Sequence, residues 1–367
     1  TSFRLPGLGA YMSVAIEAGN MRAILSGILA MMSVILVMDI LVWRPVLAWV
    51  YKFRLEDLPG AEQEPPFVEL LLRDSILFRY ALLLRARRPR LRTQRIKWVQ
   101  VFEKMSGHWH RFVRAVRLPW ALVLKVLLGF LVMTLIAAVL RLSVLLKDLT
   151  GTEWLEIAYA VLMTGLRVVV CLILASIWTV PLGIWLGQDQ KRIRWAQPIV
   201  QIAASFPAPM LFPLALGVLF ILRIPFGIGS IFLMMIGVQW YILFNVLAGA
   251  LRISAELQQV ANLMNISKID KWRYLYLPSV FPTLVTGWVN AAGGAWNASI
   301  VAEYASYKGE RLITTGVGAT ISKAASEADF PRLAAALLVM VVTLVLINRT
   351  VWSRVYRLTS ERYRMES

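Results

Sequence analysis

The apolar residues of this chain are gathered into uninterrupted runs of about twenty residues. A run of that length, wound as an α-helix, spans the hydrocarbon core of a bilayer. Within lipid each backbone polar group must be satisfied inside its own segment, so these runs predict an all-α integral membrane protein. Seven runs are long enough to cross, at 21–42, 119–140, 160–187, 196–222, 228–250, 280–302 and 332–350.

Basic residues are concentrated in alternate loops between these runs, and the formal net charge is +18. The longest basic stretch, 57–118, separates the first two runs, and arginines also follow the last run. Because cytoplasmic loops carry an excess of Lys and Arg, we predict that this stretch and Ser367 are cytoplasmic and that Thr1 lies on the opposite side. In a soluble protein such a charge would suggest nucleic acid. Here the stretch adjoins a membrane span, so we expect interfacial helices on anionic membrane lipids and no nucleic acid partner.

Residue types that carry catalysis or metal binding are sparse in this sequence. Cys171 is the single cysteine and lies within an apolar run, which excludes an intrachain disulfide and a Cys-rich metal site. His108 and His110 form an H-x-H pair without nearby Cys or carboxylate ligands, which is more typical of an interfacial pair than of a metal site. The sequence has no G-x-x-x-x-G-K-[ST] phosphate loop. We therefore expect this chain to hold no catalytic residues, metal or cofactor, so that any driving energy comes from a partner or from a gradient.

An internal repeat suggests how the chain is divided. Gly316 lies 309 positions after Gly7, and at this offset both begin a Gly-x-Gly-Ala segment, followed by a polar connection, an apolar run and a basic tail. At the same offset Trp43 matches Trp352. Two final spans with basic exits could look alike without being a repeat, but the shared register favours the repeat. We predict three segments: 1–56 as the final span and tail of an upstream unit, 57–118 as a basic cytoplasmic linker, and 119–367 as a complete six-span unit.

The loop 251–278, between two of the later runs, carries the most informative motif. It reads Gln259-Val260-Ala261, three residues, Asn265, nine residues, and then Leu275-Tyr276-Leu277-Pro278. This resembles the cytoplasmic loop E-A-A, three residues, G, nine residues, I-x-L-P of permeases of binding-protein-dependent ATP-binding-cassette (ABC) importers. Gln259 replaces the family's Glu, and Asn265 replaces its Gly, although Asn can also adopt the left-handed conformation that Gly supplies. A basic linker helix is the alternative interpretation of this loop.

The resemblance covers about 119–367 and is nearest to nitrate, sulfonate, taurine and bicarbonate importer permeases. It implies a six-span permease of the inner membrane that forms the path of a small anion and couples to a separate ATPase. The implied partners are two ABC ATPase subunits, a second permease unit and a periplasmic solute-binding protein. The residues implied for coupling are Gln259, Val260, Ala261, Asn265, Leu275, Leu277 and Pro278.

The main alternative is a gradient-driven secondary transporter, which also uses repeats and Pro-interrupted spans. The other segments that carry the resemblance are Thr164-Gly165-Leu166-Arg167, Val180-Pro181-Leu182-Gly183, Phe206-Pro207-Ala208-Pro209, Gly294-Ala295-Trp296-Asn297, Val301-Ala302-Glu303 and Gly316-Val317-Gly318.

Six residues are candidates for the substrate pathway: Arg167, Pro207, Pro209, Gly294, Asn297 and Glu303. The prolines interrupt the predicted span 196–222 near its middle and free backbone carbonyls, either for a path or only for packing. Arg167 lies inside an apolar run, where a charge is costly unless it attracts an anion, pairs with Glu303 or extends outward to the interface.

Overall fold

The computed structural model describes residues 7–39, 41, 120–307 and 310–362. The predicted linker 57–118, the His108–His110 pair and Trp43 lie outside the described residues. The helices are α1 (Leu8–Glu17), α2 (Met21–Met38), α3 (Trp120–Lys147), α4 (Gly151–Gly187), α5 (Gln190–Ser205), α6 (Ala208–Ile221), α7 (Phe226–Ala250), α8 (Ala255–Leu263), α9 (Lys268–Asp270), α10 (Leu277–Ala302), α11 (Val317–Glu327), α12 (Phe330–Ile347) and α13 (Ser353–Arg362). π-Helical segments at Lys271–Tyr276 and Asn348–Trp352 lead into α10 and α13.

The chain divides into two compact units. One contains residues 7–35 and 142–362 of the described chain, and the other contains residues 36–41 and 120–141. All of the contacts discussed below lie within the first unit. The second unit contributes most of α3, a helix of 28 residues that confirms the apolar run predicted at 119–140.

Most of the predicted spans are present as single helices. Within the described residues, five helices are long and apolar enough to cross a membrane, namely α2, α3, α4, α7 and the helix that begins at Phe330. The run predicted at 280–302 is the 26-residue helix α10, which is long enough to cross, at about 39 Å. Its polar residues and glycines make it less apolar than the other five. Because α10 packs along α7 and α4, much of its surface does not need to resemble lipid.

The span predicted at 196–222 is not a single straight helix. The segment forms two helices, α5 and α6, that meet at 89°. α5 ends where Phe206 adopts an extended backbone, with φ −75° and ψ 130°. The next residue, Pro207, has no N–H with which to continue the helix, and α6 starts after it with Pro209 in its first turn. The prolines therefore break this segment rather than kink it, and the pair is either a broken span or a re-entrant loop.

Three long helices form the centre of the first unit, with α7 packing along both α4 and α10. At the contact of α7 with α10, the fully buried residues Ile242 and Val280 lie against Gly287 and Gly249 of the opposite helix. Gly287 on α10 lies so close to α7 that a Cβ there would be 3.2 Å from Ile242 Cα. Small residues at such crossings let helix backbones approach, which is how membrane helices gain packing energy without a hydrophobic effect between them.

The segment between the runs predicted at 280–302 and 332–350 is largely ordered secondary structure. Strands β1 (Tyr304–Tyr307) and β2 (Glu310–Ile313) pair antiparallel, with Tyr304 opposite Ile313. Helix α11 follows and ends at Ala328, whose φ of 58° is left-handed. Asp329 then caps α12 through a hydrogen bond accepted from Arg332 N. This hairpin is the departure from an all-helical fold within the described chain.

Candidate functional site

The loop at 251–278 folds as two short helices joined by a tight turn. Ser254 caps α8 by accepting a hydrogen bond from Leu257 N at 3.3 Å, and Glu256 lies in the first turn, where a carboxylate is favoured. The second helix begins at Ser267, whose hydroxyl accepts from Asp270 N at 3.2 Å. The loop is therefore capped at the start of each helix and forms a defined structure rather than an irregular linker.

Asn265 adopts the left-handed conformation anticipated from the sequence, with φ 52°. The turn around it has both hydrogen bonds of a Schellman motif: Ile266 N donates to Ala261 O at 3.2 Å, and Asn265 N donates to Asn262 O at 3.0 Å. Lys271 Nζ also donates to Asn262 Oδ1 at 2.6 Å, which joins the second helix to the first. The angle between the two helices is thus fixed by backbone and side-chain bonds together.

Helix α8 buries Ala261 but exposes most of its other apolar side chains. Ala261 is 5% exposed, whereas Val260 is exposed, as is the polar Gln259. At the other end of the loop, Leu275 packs against the main core, while Leu277 and Pro278 lie in the first turn of α10. The loop thus has an anchored side and an apolar surface that no described residue covers. The exposed apolar residues of that surface are Leu257, Val260, Leu263 and Met264.

A buried polar network joins α4 to the end of α10. The Glu303 side chain is fully buried, and its Oε1 lies 2.9 Å from Arg167 Nη1. Thr164 donates its hydroxyl to Glu303 Oε1 at 2.8 Å, while Gly318 N and Ala319 N donate to Oε2 at 3.0 and 3.3 Å. The carboxylate therefore caps the N-terminus of α11, where the helix dipole also favours a negative charge.

The guanidinium of Arg167 also donates hydrogen bonds to neighbouring backbone and side-chain oxygens. Its Nε donates to Gly227 O at 3.2 Å, its Nη1 to Thr315 O at 2.6 Å and its Nη2 to the Thr314 hydroxyl at 3.0 Å. Of the three possibilities that the sequence left open for Arg167, the structure has the pairing with Glu303. A charge that is paired and hydrogen-bonded in this way can be buried, because its lost hydration is replaced.

The other pathway candidates lie apart from this network. Asn297 is exposed on α10, in a stripe with Asn290 and Gly293 at helical spacings of three and four residues. Gly294, beside the stripe, lies against the exposed Tyr241 ring of α7, where a Cβ would be 3.0 Å from the ring. Amide side chains on an open face in the middle of an apolar helix are costly against lipid, so this face suits water or a neighbouring polar surface.

The family model of the binding-protein-dependent transport system inner membrane component matches residues 179–364. The chain belongs to this family. The match covers the capped loop, the bent pair α5–α6 and the whole of α10. Family membership and the apolar helices make the chain a multi-pass protein of the inner membrane.

Curated relatives of this permease include two nitrate import permease proteins, both named NrtB. The protein from Leptolyngbya laminosa is 29% identical over 152 residues, which cover 41% of this chain and 50% of the relative. The protein from Synechococcus elongatus is 27% identical over 143 residues, covering 39% and 50%. The chain thus spans about half the length of the curated relatives it matches. Among solved structures, an inward-facing MetNI methionine ABC transporter matches with 17% identity and a TM-score of 0.46, covering 57% of this permease and 99% of that chain.

Sequence reasoning missed several members of these sites. Thr164 was noted only as part of a motif. Nothing in the sequence marks its hydroxyl as a hydrogen-bond donor to the carboxylate of Glu303, 139 residues away. The Asn290 position could have been found, because two asparagines seven residues apart on one helix lie on the same face. Tyr241 carries no such signal, because it is placed against Gly294 only by the packing of α7 on α10.

Proposed function

We propose that this chain is the permease subunit of an ATP-binding-cassette importer, which forms the substrate path and couples it to a separate ATPase. The observation that carries the proposal is the capped loop in a chain of this family, with an anchored Ala261 and an uncovered apolar surface. A short helix with an apolar face suits docking into a groove of a soluble partner.

The loop is built to pass motion on as a rigid body. The Schellman turn at Asn265 and the bond from Lys271 to Asn262 hold the two short helices at a fixed angle. The second helix continues through the π-helical segment directly into α10, so a push on α8 would be passed to that long helix. In this proposal Gln259 and Val260 face the ATPase, and Leu275, Leu277 and Pro278 connect the loop to α10.

The proposed partners are two ATPase subunits, a second permease unit and a periplasmic solute-binding protein. The loop 251–278 and Ser367 would then be cytoplasmic, on the side of ATP. The proposed substrate is a small anion such as nitrate, sulfonate or bicarbonate, which rests on the similarity to nitrate import permeases.

For the substrate path we propose the exposed face of α10 that carries Asn297, next to Gly294, together with the break at Pro207 and Pro209. Arg167 and Glu303 would contribute by holding α4, α10 and α11 together at one end of that path, because their donors and acceptors are already bonded to each other and to neighbouring groups.

A charge placed on the exposed surface of α8 tests the proposal. We expect Val260→Asp to fold normally but to weaken ATPase binding at least about tenfold, because the carboxylate would have to be desolvated in the partner's groove. The matched control is Glu256→Gln, in the first turn of the same helix. ATPase retention, ATP hydrolysis and substrate uptake are measured in proteoliposomes. Uptake by Val260→Asp at the wild-type rate, driven by an ion gradient without ATP, would instead indicate a secondary transporter.

A further inference from the structure

The first helical hairpin of the chain repeats the last one in its backbone. Helices α2 and α12 each have 18 residues and start 309 positions apart. The residues that precede α1 and α11, Gly7 and Gly316, have φ of 170° and 177°. Between the two helices of each hairpin stands one left-handed residue, Gly19 with φ 61° and Ala328 with φ 58°, at the same offset.

The hydrogen bonds that shape the two hairpins repeat as well. Asn20 Oδ1 accepts from Ala23 N at 3.2 Å, and Asp329 Oδ1 accepts from Arg332 N at 3.2 Å. The backbone bonds that close each turn also correspond: Asn20 N to Ala15 O at 3.1 Å and Asp329 N to Ala324 O at 2.9 Å. Agreement of caps, turns and helix lengths at one offset indicates that the two hairpins are the same element of the same fold.

The two copies bury one position of their long helix in common, Gly27 and Ala336, but they differ in which side chains they bury beside it. In α12, which packs on α4, Ala335 is fully buried and Leu338 is half-buried. The corresponding residues of α2 are Ser26, which is exposed, and Leu29, which is 64% exposed. The side of the long helix that Ala335 and Leu338 occupy in the last hairpin is therefore uncovered in the first hairpin.

The reverse holds for the other face. Ile28 is 8% exposed, because the core of the first hairpin continues onto Met210 of α6. Its counterpart in α12, Leu337, is 41% exposed. At these positions each hairpin leaves exposed side chains whose counterparts are buried or half-buried in the other hairpin.

The repeated glycines show the same asymmetry. A Cβ on Gly316 would collide with the Glu303 carboxylate, and one on Gly318 would collide with the α10 backbone. At Gly7 and Gly9, the counterparts in the first hairpin, a Cβ would meet nothing within 4 Å. In the last hairpin, the glycines at these two positions leave room for a carboxylate and for the backbone of a neighbouring helix. In the first hairpin, no described residue fills the corresponding space.

We infer that α1 and α2 are the last hairpin of a second permease unit with the same fold as residues 142–362. Their open face, with Leu29 and Gly9, is covered by that unit's counterparts of α4 and α10, and the cluster at Met210 is the contact between the two units. Since two such units related by a two-fold make the same contact twice, Leu337 is covered by the second unit's counterpart of α6. The inference specifies the proposed second-unit partner by residue and is independent of ATP coupling.

Photocrosslinking in the native transporter, expressed at full length in membranes, tests the symmetric contact. p-Benzoylphenylalanine replaces Leu337 or, as a matched control, Val342, which is exposed on a different face and whose counterpart Ser33 is exposed too. We expect Leu337 to crosslink to a peptide of a second permease unit that aligns with residues 206–214, and Val342 to crosslink only to lipid. Only lipid adducts at Leu337 would overturn the inference. Adducts to residues 206–214 of a second copy of this chain would also overturn it, because α1 and α2 occupy that face.

The glycines give a second measurement. Gly9→Leu should abolish co-purification of the second unit, whereas Gly129→Leu, which also has nothing within 4 Å of its added Cβ, should leave it intact. ATPase retention is scored in the same samples, so that loss of the second unit is separated from loss of coupling. Full assembly of Gly9→Leu would contradict a close helix at that position.

Discussion

Arg167 Nη1 lies 2.9 Å from Glu303 Oε1, so one ion pair joins α4 to the residue that ends α10. The two partners are not equally dependent on each other. Glu303 keeps the Thr164 hydroxyl and two backbone N–H groups of α11 when the guanidinium is removed. Arg167 without the carboxylate keeps only neutral acceptors.

Removing the carboxylate should therefore cost more than removing the guanidinium. We expect Glu303→Leu to lower the free energy of unfolding by about 3–5 kcal/mol, since it leaves a buried charge without its counterion. Arg167→Met should cost clearly less. Thermal and denaturant unfolding of the purified protein in detergent measure both. Glu156→Gln, at the exposed partner of Arg332, is the control and should stay within about 1 kcal/mol. Equal losses for Glu303→Leu and Arg167→Met would contradict this account.

The spans could be predicted from the sequence because lipid imposes one requirement on every crossing helix, a long apolar run. That requirement locates α2, α3, α4, α7 and α12. It does not describe the break at Phe206 and Pro207, because a missing N–H ends a helix without specifying where the next one points.

The buried network could be predicted only in part. An arginine inside an apolar run demands a partner, so Glu303 could be named as one possibility. The backbone oxygens of Gly227 and Thr315 could not be predicted as acceptors for Arg167. Backbone acceptors carry no sequence signal, and tertiary packing alone brings them together. The hairpin at 304–313 was missed for a related reason: strands of four residues are too short to show an alternating pattern.

The turn at Asn265 should tolerate only residues that accept a left-handed backbone. We expect Asn265→Gly to preserve the protection of α8 amides against hydrogen exchange. Asn265→Val should reduce their opening free energy by about 1–2 kcal/mol, because a β-branched side chain is strained at positive φ whereas Asn is tolerated there. Met264→Val, one residue earlier, exposed and at a negative φ of −74°, is the control and should change it by less than about 0.5 kcal/mol. Full protection in Asn265→Val would show that the turn does not need this conformation.

Ala328 and Gly19 occupy equivalent positions with a left-handed backbone, but only Ala328 carries a side chain. Ala328→Gly should raise the free energy of unfolding by about 0.5–1 kcal/mol, because relief of the left-handed strain outweighs the added entropy of the unfolded chain. Gly19→Ala, at the equivalent position, should lower it by a similar amount. A denaturant titration of both variants decides the point, and a loss of stability in Ala328→Gly would contradict it.

Cys171 offers a probe of the core, because it is the single cysteine of the chain and is 0% exposed. We expect a membrane-permeant maleimide to leave it unmodified in the native protein and to label it fully in denaturant. Leu155→Cys in a Cys171→Ala background, at an exposed position near the start of the same helix, should react at once. Rapid labelling of native Cys171 would mean that α4 opens away from α7 and α10.

A substitution of Asn297 distinguishes between an aqueous path and lipid as the surroundings of the exposed face of α10. If this face lines an aqueous path, Asn297→Leu should slow substrate uptake while leaving stability nearly unchanged, because the variant removes a hydrogen-bonding group that water or substrate contacts. If the face meets lipid, the same change should stabilise the protein and leave uptake intact, because it removes an amide from hydrocarbon. Uptake in proteoliposomes and thermal unfolding are measured on the same preparations. Val341→Leu, exposed on α12, is the control and should alter neither quantity. We expect the first outcome, since Asn290 and Gly293 extend the same stripe.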